Sequence, residues 1–227
     1  MITFIKQCAG IRSTRTLFYL SLFCVALSVM RIILTRTIFL SFLAWNLALA
    51  FIPWCIAITL DIIKLRNKWY AVCFIMLWLL FFPNAPYILT DMIHLKKTAS
   101  RYDWFTFILI LSYCFTGLFY GYVSLDFIER AISRIFKMKH TLWFVCAVLY
   151  LSAYGIYLGR FLRWNSWDTI VRPYALFKDI FAHIRHPVEY KQVWSFSFLM
   201  GTALILFYYA FESFGTQDSA PAAPECT

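Results

Sequence analysis

Charge is what this sequence has least of. Only 14% of its 227 residues are Asp, Glu, Lys or Arg, against about a quarter in an ordinary soluble domain. No polar connection is longer than the segment from about Arg160 to Gln192, which leaves no room for a second, soluble domain. The cysteines, at positions 8, 24, 55, 73, 114, 146 and 226, stand singly, and most lie inside apolar runs. With no CxxC and no Cys/His spacing, neither a zinc cage nor a disulfide framework is expected, and the thiols read as small packing residues. The first apolar run, 17–34, ends without an Ala-x-Ala site, so no cleaved signal peptide is expected. No internal repeat is visible either, which argues against a standalone inverted-repeat transporter; a homo-oligomer would have to supply the symmetry.

What fills the chain instead is apolar. Hydrophobic residues make up 62% and aromatics 21%, with a mean hydropathy of +0.70. A bilayer crossing takes about 20 such residues. Six stretches qualify or nearly do: 16–34, 37–60, 69–95, 104–125, 141–159 and 193–211. The expected fold is therefore all-α, a polytopic transmembrane bundle of about six spans. Residues 1–212 form its single domain, and 213–227, small and rich in Ala and Pro, form a disordered tail.

The third span is irregular. Its first part, 69–82, is too short to cross at about 1.5 Å per residue, so it must continue through Pro83-Asn84-Ala85-Pro86. Two prolines three residues apart remove two backbone donors and crowd the preceding carbonyls, which predicts a break in the helix. Broken backbone at membrane depth persists where protein or a wet cavity satisfies the freed groups. Asn84 sits inside the break. Beyond it, Tyr87, Asp91 and His94 recur at i, i+4 and i+7, one face of an α-helix. An Asp and a His so placed suit a proton relay, an acid–base pair or two metal ligands; the plainer reading is a pair of interfacial residues facing water.

A second polar motif opens where the fifth span ends, in GRFLRWNSWD (Gly159 to Asp168). By the parity of crossings it lies on the same membrane face as the first. Arg160 and Arg163 offer two fixed donor forks that suit phosphate or carboxylate. Trp164 and Trp167 bracket Asn165 and Ser166, and Asp168 follows. Each has a structural reading: arginines snorkelling to head groups, tryptophans in an aromatic belt, Asp168 capping a helix. Arg160, inside the apolar boundary, needs a partner, and Asp91 is the candidate, with Asn84 adding a hydrogen bond to the pair. Farther on, Tyr174, Phe177, Phe181 and Ile184 recur at helical spacing after Pro173, which reads as an amphipathic helix in the interface, covering the polar site. His183 and His186 read as interfacial. Asn46, in the second span near the same face, either completes the site or bridges two helices. On the opposite face, Asp126 and Glu129 read as a solvated helix end among basic residues.

The net charge of +10 is spread over short loops on both sides, which suits membrane lipids as partners and not nucleic acid. The loop charges balance across the bilayer, so orientation rests on discounting Arg160 and Arg163 as site residues. That places both termini in the cytoplasm and the polar face outward.

Ala44 to Pro53 (AWNLALAFIP), Phe81 to Leu95 (FFPNAPYILTDMIHL) and Tyr157 to Asp168 (YLGRFLRWNSWD) together resemble domain-of-unknown-function family 1361. The resemblance implies a multi-pass protein of the bacterial inner membrane, and it assigns no activity, cofactor or catalytic residue. Three readings follow. In the first, a polar, Arg-containing site binds or processes an anionic lipid or lipid-linked phosphate, with Arg160 and Arg163 on the anion, Asp91 or His94 as base and Asp168 orienting it, while Asn46, Asn84, Tyr87 and Asn165 line the substrate. The second is a small-solute or ion transporter or channel; the third is a non-catalytic assembly subunit. The reaction or cargo, any cofactor, and whether the protein is an enzyme at all are not legible.

Overall fold

The computed structural model describes residues 12–64, 67–97, 103–138 and 141–217. Among these, every regular element is helical. The helices are α1 (Arg12–Thr35), α2 (Phe42–Ile63), α3 (Lys68–Phe81), α4 (Asn84–Tyr87), a 3₁₀ helix (Ile88–Lys97), α5 (Asp103–Phe136), α6 (Leu142–Phe161), α7 (Asp168–Val171), α8 (Pro173–Arg185) and α9 (Lys191–Gln217). Six segments are long and apolar enough to cross a membrane, with α3, α4 and the start of the 3₁₀ helix together making the third. The protein is a multi-pass helical membrane protein.

Two elements outrun their expected limits. α5 continues to Phe136, so Asp126 and Glu129 belong to a continuous helix. Asp126 pairs with Arg130 one turn on at 2.7 Å, as the spacing suggested. Glu129, however, is half-buried and accepts hydrogen bonds from Thr141 and Tyr208, so it pins helices together where a solvated end was expected. α9 continues to Gln217, which makes 213–217 helical and not part of a disordered tail; the rest of that tail lies outside the described residues.

α5 is the central post. It packs against α1, α2, α3, α4 and the 3₁₀ helix, and its buried face runs from Phe105 to Ile132. α6 and α9 form a separate antiparallel pair, tied to the post at one end by Tyr122, whose hydroxyl donates to the Leu204 carbonyl at 2.9 Å. Between this pair and the rest stands α4, which touches α2, α5 and α6.

Glycines on two helices let α4 in. A Cβ on Gly117 of α5 would lie 2.6 Å from Ile88 Cδ1 and 2.9 Å from the Ala85 carbonyl oxygen, and one on Gly121 would lie 3.3 Å from Ala85 Cβ. From α6, a Cβ on Gly155 would sit 3.0 Å from Pro83 Cγ, and one on Gly159 would sit 3.1 Å from Tyr87 Cε2. Both pairs are spaced four apart, the small-residue pattern that lets backbones approach within a membrane. The broken segment is therefore clasped from two sides. Gly117→Val should cost about 1–3 kcal/mol by overpacking, since one neighbour is backbone and cannot move aside. Gly121→Ala should cost clearly less. Denaturant or thermal unfolding in detergent measures both, and equal, small effects would mean that the clasp is loose.

Candidate functional site

The break forms as the two prolines require. Phe82 still donates to the Trp78 carbonyl at 2.8 Å, but Ala85 N–H turns to the Phe82 carbonyl at 3.1 Å, and Phe81 O loses its usual backbone donor. Asn84 replaces it: the side-chain amide donates to Phe81 O at 3.0 Å, and also to Ser166 Oγ at 3.0 Å. One amide thus satisfies the freed carbonyl and fastens the WNSW loop to the break. The expected bond from Asn84 to the ion pair does not form, because both amide hydrogens are engaged here.

The chain then winds as a 3₁₀ helix, and this takes Tyr87 out of the expected alignment with Asp91 and His94. At three residues per turn, positions three apart eclipse, so Asp91 and His94 stay in line, with Ile88, while Thr90 falls in line with Tyr87. Thr90 Oγ1 accordingly donates to the Tyr87 carbonyl at 2.7 Å. The side chain of His94 lies outside the described residues.

Asp91 is 1% exposed. Arg160 forms a salt bridge with its Oδ1, and Asn46 donates to Oδ2 at 2.8 Å. The same guanidinium donates through Nε to Thr90 Oγ1 at 2.8 Å and lies over the Tyr87 ring, 4.5 Å from its centroid. Three helices are joined at one carboxylate. Asn46 does this where Asn84 was expected to. Arg163 does not take part: it is exposed, at φ 61°, in the left-handed conformation that turns the chain at the end of α6. Just beyond it, Trp164 N–H bonds back to the Leu158 carbonyl at 3.1 Å. Asp168 also stands apart from Asp91; its Oδ2 accepts from Asn165 N–H at 2.8 Å and from the Asn165 amide at 3.3 Å. That is a loop-stabilising role, and among the described residues no group of three His, Cys, Asp or Glu comes together in a way that would hold a metal.

Beside the ion pair is a cavity of about 700 Å³ between α2, α3, α6 and α8. Its polar end is made by Asn46, Asn84, Tyr87, Asn165 and Ser166, and its depth by leucines such as Leu49, Leu79 and Leu158. Asp91, Arg160 and Arg163 are absent from its wall, as is every other charged side chain among the described residues. Tyr87 and Asn46 face the cavity while touching the pair on its other side. Several wall residues are also well exposed, Trp45, Met76, Leu151 and Phe177 among them, so the cavity opens sideways onto the apolar surface of the bundle.

α8 covers it. Leu176, Phe177 and Ile180 line the cavity, but the face that the periodicity picked out, Tyr174, Phe177, Phe181 and Ile184, is exposed, so the helix covers the site with a neighbouring edge and turns its predicted apolar face outward. Two contacts that the spacing did not suggest hold the helix down. Trp164 Nε1 donates to Asp179 at 3.0 Å. His183, 3% exposed, is not interfacial: Nδ1 shares a 2.9 Å hydrogen bond with the Tyr154 hydroxyl, and Tyr157 and Tyr190 pack edge-on against the ring. The signal was available, since His183 lies at i+7 from Leu176 and so on the same helix face. The four glycines and Thr90 were missed too. The glycine spacings could have been noticed; Thr90 enters only through the 3₁₀ winding.

These features define a polytopic membrane protein with a buried ion-paired centre beside a lateral amphipathic cavity. The family model of DUF1361, a protein family of unknown function, matches residues 45–207, and the chain belongs to that family. No curated protein and no solved structure matches it.

The ion pair should behave as a unit. Breaking it from one side by Asp91→Asn or Arg160→Gln should each cost about 3–5 kcal/mol, and the double variant less than the sum. A double-mutant cycle with coupling below about 0.5 kcal/mol would contradict this. His183 should confer a pH dependence. Burial holds its pKa below the usual 6.5, partly offset by Asp179, so the unfolded chain takes up the proton at higher pH than the folded one. Its contribution is whole above about pH 6.5 and falls as pH drops through that value towards the folded pKa. The unfolding midpoint of the native chain should therefore decline between about pH 7 and about pH 5 more steeply than that of His183→Gln; parallel profiles would refute it.

Proposed function

We propose that this protein binds an amphiphile taken from the bilayer, a lipid or lipid-linked molecule, with its chain in the apolar depth of the cavity and its head at the polar end. The observation that carries this reading is the sideways opening: a cavity with leucine walls, hydrogen-bonding groups at one end and exposed apolar residues at its mouth admits molecules from lipid more readily than from water. Its volume suits one chain with a head group. The wall descends from the polar face to Met76 and Leu151, near the middle of their spans, which favours a binding pocket over a through-going transport path.

An anionic head, suggested by the two arginines in the sequence, finds less support. Arg160 is committed to Asp91 and faces away from the cavity, and Arg163 is exposed beyond it. A role as an assembly subunit, whose polar groups merely fasten helices, leaves the cavity unexplained. The setting we infer is the bacterial inner membrane, with both termini cytoplasmic, the polar end outward and membrane lipids as partners; a homo-oligomer is compatible with this arrangement.

A photoactivatable fatty alcohol, incorporated with the purified protein into nanodiscs, should label residues on α3 and α6 facing the cavity. Leu151→Trp, which places an indole in the mouth, should reduce that labelling by about tenfold, equivalent to about 1.4 kcal/mol of occupancy, while the unfolding midpoint holds. Labelling spread evenly over all lipid-facing helices, and unaffected by the substitution, would refute the proposal.

A further inference from the structure

We infer that the head group this cavity selects is a neutral, hydroxyl-rich one, a sugar or other polyol carried on an apolar chain. The inference rests on the amphiphile reading above and adds the chemistry of the head.

Three asparagines face the polar end, and each amide nitrogen has a partner in the protein, Asn84 giving both of its hydrogens and Asn46 and Asn165 one each. Asn46 donates to the Asp91 carboxylate at 2.8 Å, Asn84 to the Phe81 carbonyl at 3.0 Å, and Asn165 to Asp168 at 3.3 Å. Each of these partners only accepts, so the orientation of each amide is set. No described residue donates to the three carbonyl oxygens that remain. The polar end is thus rich in acceptors. Beside them, Ser166 Oγ already accepts from Asn84 at 3.0 Å, which leaves its hydroxyl hydrogen to give. Such a site asks its ligand for several donors and offers a few in return, as vicinal hydroxyls require.

A phosphate fails the same test. It only accepts, so it would meet three carbonyl oxygens, and among the described residues no charged side chain lines the wall to offset them. The Arg160 charge is held by Asp91 behind the Tyr87 ring. Stripping a phosphate of water here without a countercharge is costly. An ammonium head would satisfy the acceptors but would likewise find no carboxylate among the described residues of the wall. The aromatic content points the same way: Trp45, Trp164 and Trp167 stand at the polar end, offering apolar ring faces beside hydrogen-bonding groups. A pyranose, with its C–H faces and its rim of hydroxyls, matches both.

The test uses the full chain in nanodiscs of zwitterionic lipid, with the photoactivatable fatty alcohol in the cavity and three competitors sharing a dodecyl chain: the β-glucoside, the phosphate and the trimethylammonium. The glucoside should displace the probe at concentrations at least about tenfold lower than either charged competitor, a difference of about 1.4 kcal/mol. In Asn165→Ala, whose side chain is exposed and whose loss should leave the unfolding midpoint in place, that preference should shrink; an undiminished preference would remove Asn165 from the head-group site and overturn the inference. If the phosphate or the ammonium competes as well as the glucoside, the head-group inference falls and the amphiphile reading stands. If the probe never labels the cavity, both fall together.

Discussion

One carboxylate, held away from water, organises this bundle. Asp91 is reached by Arg160 from α6 and by Asn46 from α2, and it sits on the short 3₁₀ helix that follows the proline break. An ion pair so deep gives little net stability, because desolvation consumes most of the Coulombic gain. Its effect is on geometry. An Asp at this depth without its guanidinium would be far more costly than the pair, so arrangements that separate the two are strongly disfavoured. That penalty keeps α6 beside the broken span even though most of α6 is packed on α9.

The break and the cavity follow from the same constraint. Pro83 and Pro86 end α3 early, Asn84 repairs the freed Phe81 carbonyl, and the glycines of α5 and α6 close around the four residues of α4. Because α4 is the piece that touches α6, α3 is held away from α6, and the space between them is the cavity. The WNSW loop is drawn over that space by the bond from Asn84 to Ser166, and α8 is laid over the loop by Trp164 and Asp179. Charge, backbone repair and lid are linked through a few neighbouring residues. The amide orientations that make the polar end acceptor-rich are a by-product of the same repairs.

Much of this could be read from residues alone. Span number, the break at Pro83–Pro86, the partnership of Asp91 with Arg160 and the amphipathic α8 depend on hydropathy, proline chemistry and the cost of a buried charge, all of which are local or nearly so. The expected alignment of Tyr87 with Asp91 and His94 failed because it assumed 3.6 residues per turn where two prolines had left a tighter helix. The role expected of Asn84 fell to Asn46, since the break used the Asn84 amide first. His183 looked interfacial until Tyr154, from another helix, supplied its partner. The winding is local to the prolines, whereas the bonds from Asn84 to Ser166 and between Tyr154 and His183 are long-range, and spacing names no such partner even where, as for His183, it marks the covered face. Arg163 and Asp168 show the converse: both sit in a motif dense enough to suggest a site, yet their backbone and hydrogen-bonding roles are within the loop itself.

The claim on which the account turns is that the ion pair holds the broken segment in place. Hydrogen–deuterium exchange of the peptide spanning 83–92, followed in nanodiscs for the native chain and for Arg160→Gln, tests this most directly. Slow exchange is expected in the native chain, approaching that of the α5 core, with a loss of protection confined to this peptide and its neighbours in the variant. Equal exchange in both proteins would show that the segment is held by packing alone, and the central place given to Asp91 and Arg160 would be wrong.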